Sequence, residues 1–134
     1  MSSRVIYPLQ RSGNLLFLRA SVSGTNNDSI RVRLLIDTGS SYTTLPLKVL
    51  EDLGYIPSTA TTQVSIMTAG GMTRAPSLSV SAFNGLGQAF NDYSIVALTL
   101  PFSPLMSGLL GMDILSQIGA ILDIQKAEIT LMRS

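Results

Sequence analysis

Short apolar runs rich in Val, Ile, Leu and Thr recur along the chain, several alternating with polar positions, and clusters of Gly, Asn, Pro and Ser separate them. A side-chain period of two bounded by turn residues is the signature of β-strands. The pattern predicts strands over residues 15–22, 30–36, 61–67, 72–80, 89–98, 120–124 and 128–132. Two turns are well signed. One is Gly-Thr-Asn-Asn-Asp-Ser at 24–29, and the other is Gly70-Gly71, which joins two strands of the right length for a projecting hairpin. Two short helices interrupt the β pattern. Pro46 suits a first helical turn, Leu47, Leu50 and Leu53 follow at helical spacing, and Gly54 is placed to end it. The second covers about 112–117, with Gly119 as its stop. A weak internal echo links the two regions, since a Leu-Leu pair precedes a Gly-containing turn and a short helix both at 34–53 and at 109–118. The expected fold is therefore all-β.

Length and composition narrow this picture. The 134 residues fit a single domain spanning 1–134, long enough for a core without disulfide or metal staples. The uncharged stretch 93–112 has membrane-spanning length, but Pro101, Ser103, Pro104, Ser107 and Gly108 would leave a helix broken in lipid, so it reads as strand, loop, strand. The first ten residues lack the apolar core of a signal peptide, which leads to an expectation of cytoplasmic residence; excision from a larger precursor stays open. Nine basic and eight acidic residues give a net charge of +1, so neither nucleic acid nor a membrane is an expected partner. Only 13% of residues are charged, about half the usual share of ~25%, which favours self-association. The chain has no Cys and no His. Thiol nucleophiles, Ser-His-Asp triads and thiolate or imidazole zinc sites are excluded, and catalysis would have to run on carboxylates, hydroxyls, Lys or Arg.

One segment stands out chemically. The apolar run Leu34-Leu35-Ile36 ends in Asp37-Thr38-Gly39-Ser40-Ser41, which places a carboxylate at the edge of a core. Thr38 and Ser40 supply hydroxyls, and Gly39 lets backbone approach a ligand closely. An Asx-type turn after a strand is the plainer alternative.

Context favours the chemical reading. The segment resembles the retroviral-type (retropepsin-like) aspartic proteases, single-domain half-size relatives of pepsin. Four features carry the resemblance in order over about 120 residues. They are Asp37-Thr38-Gly39-Ser40 with Tyr42-Thr43-Thr44-Leu45-Pro46; the Gly-containing hairpin 66–75, similar to a flap; Leu109-Leu110-Gly111-Met112-Asp113-Ile114-Leu115, similar to the hydrophobic-glycine motif that opens the last helix; and the exit 116–122. The resemblance implies a closed or partly open β-barrel of the acid-protease half-domain type, with a flap hairpin and one or two short helices. It also implies a catalytic Asp37-Thr38-Gly39, with Thr38 tying two active loops together across a twofold axis and Ser40 hydrogen-bonding the outer Asp37 oxygen. Substrate contacts are expected from Met67, Thr68, Ala69, Gly70, Gly71 and Met72 in the flap and from Met106, Ser107 and Leu109 ahead of the glycine motif, although Met67 and Met72 could instead pack on their own barrel. The residues 40–42 and Met112 depart from the acids and Arg common in retroviral members, while the inserted helix at 46–53 and Thr68-Ala69-Gly70 look like the bacterial branch.

Physical chemistry bears on the same mechanism. Peptide hydrolysis by carboxylates needs two that share one proton. Asp28 lies in a turn, Asp52 on an exposed helix face, Asp92 among polar residues, and Asp113 at a helix start, where it would cap or stabilise the dipole. A twofold homodimer supplies the second Asp37. The expectation is an endopeptidase with an acidic pH optimum, acting on protein or peptide and needing no cofactor or metal. An inactive peptide-binding module or homodimeric interaction domain of the same fold is the alternative. A phosphate-binding loop at 37–41 lacks a nearby cation, Lys48 being a poor substitute.

Overall fold

The computed structural model describes residues 3–68, 71–99 and 107–133. In chain order these form β1 (Ser3–Pro8), β2 (Gln10–Ser12), β3 (Leu15–Ser23), β4 (Ser29–Ile36), β5 (Thr44–Pro46), α1 (Leu47–Asp52), a 3-10 turn (Pro57–Thr59), β6 (Thr62–Thr68), β7 (Gly71–Gly85), β8 (Gln88–Leu98), β9 (Gly108–Leu110), α2 (Met112–Gln117), β10 (Ile121–Asp123) and β11 (Glu128–Arg133).

Six strands close into a ring. β3 and β4 form an antiparallel hairpin, β4 runs parallel to β9, and β9 meets β5 at Thr44 opposite Leu109. From there β5 runs parallel to β8, β8 pairs with β7, and β7 returns to β3 through Ser21 opposite Asn84 and Val22 opposite Phe83. Alternation explains which side chains fill the ring. Leu16, Leu18, Ala20 and Val22 of β3, with Val32 and Leu34 of β4, point inward and are buried. Leu45, Val80, Phe83, Ile95 and Leu110 join them, and the helices add Leu50, Leu53, Ile114 and Leu115.

Two parts lie outside the ring. β6 pairs with the first half of β7 from Thr62 opposite Ser77 to Thr68 opposite Gly71, and this hairpin projects from the body. The termini form a separate three-stranded sheet in the order β1, β11, β10, with Ser3 opposite Arg133 and Pro8 opposite Glu128. Both ends of the chain are thus paired within one molecule, and Leu9 N–H donates to the Ala127 carbonyl at 2.8 Å to fasten this sheet to the rest.

The predicted long strands, the 24–29 turn and both helices are present, and 112–117 forms the second helix with Gly119 beyond it at φ +64°; the turn expected at Gly70-Gly71 lies partly outside the described residues. β7 runs on to Gly85 rather than stopping at 80, because its second half gains β8 and β3 as partners. Three strands were not predicted, β1, β2 and β5, whereas β9 is the second strand expected within 93–112. Pro46 closes β5 and precedes α1 instead of sitting inside its first turn. The uncharged stretch 93–112 contains the end of β8 and all of β9, with 100–106 outside the described residues. No helix among the described residues is long and apolar enough to cross a membrane.

The crossing of β5 over β9 demands small residues. A Cβ on Gly108 would stand 2.4 Å from the Thr44 carbonyl oxygen, and one on Gly111 would stand 2.5 Å from the Tyr42 carbonyl carbon and 2.9 Å from the Thr43 nitrogen. These neighbours are backbone and cannot rotate away. Gly111→Ala is therefore expected to destabilise the fold by roughly 1–3 kcal/mol, the range for overpacked sites, measured as a lowered urea midpoint at unchanged slope.

Candidate active site

Asp37 follows the last residue of β4 and is half-buried. Its position is fixed from both sides. Its N–H donates to the Leu110 carbonyl at 3.0 Å, continuing the β4–β9 pairing by one step, and its own carbonyl accepts from Ser40 N–H at 3.1 Å. Gly39 N–H donates to Asp37 Oδ1 at 3.0 Å. Among the described residues Oδ2 has no partner. One oxygen is thus oriented by backbone while the other faces outward, beside the exposed Thr38 and Gly39.

The loop 37–43 is stitched to the start of α2. Met112 N–H donates to the Ser40 carbonyl at 2.8 Å and Asp113 N–H to the Ser41 carbonyl at 3.2 Å. Thr43, fully buried, donates its hydroxyl to Asp113 Oδ1 at 2.8 Å and accepts from Gly111 N–H at 3.1 Å, while its own N–H reaches the same Oδ1 at 2.9 Å. Tyr93 of β8 donates to Asp113 Oδ2 at 2.8 Å. A carboxylate with three donors on its two oxygens is a structural group: Asp113 stands in the first turn of α2, where an acid favours the helix dipole as expected, but its oxygens make no cap and instead bind the Asp37 loop to β8. Burial foremost, then the hydrogen bond to Asp113 and its charge, push the Tyr93 hydroxyl pKa well above the usual tyrosine value.

The sequence reading of Ser40 needs correcting. Its hydroxyl donates to the Tyr42 carbonyl at 2.9 Å, and a hydroxyl has one proton, so the expected donation to Asp37 is made instead by Gly39 N–H. Thr38 is exposed at the rim of a shallow apolar groove that also involves Met112, Leu115, Ala120 and Leu122. Met67 and Met72 face each other on the projecting hairpin and are 60% and 63% exposed, so they do not pack on their own barrel. Gly71 lies at the hairpin end with φ +110°, Thr68 pairs opposite it, and Ala69, Gly70 and Met106 lie outside the described residues. Leu109 of β9 lies opposite Leu35, and Ser107, just before the strand, donates its N–H to the Arg33 carbonyl at 2.7 Å.

The other carboxylates lie elsewhere. Asp52 pairs with Lys48 at 3.2 Å on the exposed face of α1, and Asp92 occupies a left-handed position in β8 at φ +49°. No group of three potential metal ligands forms among the described residues. A concavity of about 590 Å³ between α1 and the hairpin base, near Tyr55, Ile56 and Pro76, has Glu51 as its one ionisable carboxyl and is not lined by Asp37.

Residues 22–114 match the model of the aspartyl protease family, and the chain belongs to that family. The fold is retropepsin-like. The crystal structure of a retropepsin-like aspartic protease from Rickettsia conorii superposes with a TM-score of 0.63 at 21% identity, covering 99% of this chain and 92% of that one. No curated protein sequence matches the chain.

Tyr93 gives this site a measurable signature. The folded chain holds the Tyr93 proton more tightly than the unfolded chain, whose tyrosines titrate near pH ~10. That contribution to stability is complete below pH ~10 and is lost as the pH rises above it. Tyr93→Phe is expected to lower stability at neutral pH, by leaving Asp113 short of a donor, and to flatten the decline above pH ~10; urea titrations of both forms across that range check it.

Proposed function

We propose that the chain is a homodimeric aspartic endopeptidase in which two Asp37 carboxylates, one per subunit, activate a water for attack on a peptide bond. The observation that carries this reading is the Asp37 loop itself, with one carboxylate oxygen oriented by Gly39 N–H and the other unpartnered among the described residues. A single chain has half of the needed machinery. In a twofold dimer the outward oxygens of two such loops would meet, and two adjacent carboxylates share one proton, so one serves as base toward water and the other as acid toward the carbonyl. The singly protonated pair is the active form, which places activity on the acid side of neutrality. Thr38, exposed beside the axis, would fasten the loops to each other. The projecting β6–β7 hairpin, with Met67 and Met72 exposed, would close over an extended substrate, and Ser107 and Leu109 would line the cleft from the opposite side.

Asp37→Asn keeps the size and shape of the side chain but cannot act as a base. It is expected to reduce cleavage of an unfolded protein substrate by at least about a thousandfold while circular dichroism and sedimentation stay unchanged. Full activity in that variant would rule out the assignment. Specific activity of the native chain should also fall on dilution through the dimer dissociation constant, in step with the appearance of monomers in sedimentation.

A further inference from the structure

The outer face of the β3–β4 hairpin has a charge pattern that neither the fold nor the catalytic loop requires. Arg19 of β3 lies directly opposite Arg33 of β4, and Ser21 lies opposite Arg31, so all three arginines point to the same side of the sheet. Leu18, Ala20, Val32 and Leu34, between them in sequence, are buried on the other side. Like charges directly opposite each other weaken a strand pair. Among the described residues none of the three has an ion-pair partner. The residues sharing this face are Phe17, Leu35 and serines, and the one ion pair among the described residues is Lys48 with Asp52 on α1.

The face is also built. The Arg33 guanidinium carbon stands 4.3 Å from the ring centroid of Phe17, whose side chain is only 1% exposed, and this stack holds Arg33 flat against the sheet. Among the described residues Arg33 Nε is buried without a hydrogen-bond partner. Arg19 and Arg31 are exposed. The same strand ends at the catalytic loop, so at about 3.3 Å per residue Arg33 and Arg31 lie about 13 and 20 Å from Asp37.

We propose that Arg19, Arg31 and Arg33 form an exosite for acidic side chains of an extended protein substrate, several residues away from the bond that is cut. This rests on the endopeptidase reading of Asp37. Arg31 and Arg33 are spaced by about 6.6 Å, the repeat at which alternate side chains of an extended peptide project to one side. Acidic residues at alternate positions therefore match both. Other anionic partners fit less well. A single-stranded nucleic acid needs exposed rings for its bases, and Phe17 is covered; an anionic membrane is held by clusters of about four to eight cations, and this face has three.

The test uses fluorogenic peptides that share one cleavable core and carry two Glu at alternate positions, four to six residues from the core on either side, or Gln at the same positions. The Glu peptide on one side is expected to have a KM about three- to tenfold below that of its Gln counterpart at low salt, the size of two exposed ion pairs, and to lose that advantage at high salt. In Arg19→Gln/Arg31→Gln the Glu-to-Gln ratio should fall to about one, whereas Lys126→Gln, in the turn between β10 and β11 and outside the β3–β4 hairpin, should keep the native ratio. Binding of the labelled Glu peptide to the Asp37→Asn chain, followed by anisotropy, reads the same face without cleavage. Arginine-dependent binding with no cleavage by the native chain would remove the endopeptidase reading and leave the acid-binding face. Equal KM values for Glu and Gln peptides, or a Glu preference retained in the double variant, would overturn the exosite. Tighter arginine-dependent binding of an oligonucleotide or of phosphatidylserine vesicles would overturn the peptide assignment.

Discussion

The buried Thr43 hydroxyl is the point on which the site depends. It gives its proton to Asp113 and takes one from the Gly111 backbone, so a single oxygen joins the end of the active loop to the first turn of α2. Leaving either group unpaired in a buried place would cost about 1–3 kcal/mol, which makes the join hard to break locally. Around it, Met112 and Asp113 N–H groups hold the Ser40 and Ser41 carbonyls, and Leu110 holds Asp37. The loop that presents the carboxylate is therefore rigid because two distant chain segments complete each other's hydrogen bonds.

That arrangement accounts for the two glycines and for the parallel strand pair. β4 and β9 lie side by side with Leu34 opposite Gly108 and Ile36 opposite Leu110; β4 leads through the 37–43 loop and β5 into α1, and β9 leads through Gly111 directly into α2. The weak echo in the sequence is this pair of matched segments. For their turns to interlock, the Thr44 carbonyl must pass over Gly108 and the Tyr42 carbonyl over Gly111, with no room for a side chain at either. Asp113, in turn, is taken out of chemistry by Thr43 and Tyr93, which leaves Asp37 as the carboxylate presented at the loop.

A chain with so few charges spends three of its nine cations on one face of one hairpin. Inside the ring the β3–β4 pair needs only the apolar residues between those arginines. Strand alternation leaves the outer side free of core packing while the inner side carries stability, and the shared strand β4 connects that outer side to the Asp37 loop.

Where local order suffices, the sequence was informative. The apolar run ending in Asp37, the hairpin around Gly70-Gly71 and the 112–117 helix with Gly119 behind it are legible because each is specified by residues close in the chain. β2, β5 and β9 are three residues long, and β1 has little alternation; their extended form comes from partners, such as Thr44 meeting both Val96 and Leu109. Nothing in the run Thr38-Gly39-Ser40-Ser41-Tyr42-Thr43-Thr44 tells which hydroxyl will be buried; Ser40, expected to hydrogen-bond Asp37, donates to the Tyr42 carbonyl, while Thr43 holds the loop together. The helix-start position of Asp113 was readable, but its donors come from β8 and from a loop seventy residues upstream. Likewise the Arg31 and Arg33 period is visible in the sequence, whereas Arg19 joins them only through the register of the hairpin. Local propensity and period set the elements of this protein; which polar groups meet was decided by the closing of the ring, because a hydrogen bond between distant segments exists only once the intervening chain is packed.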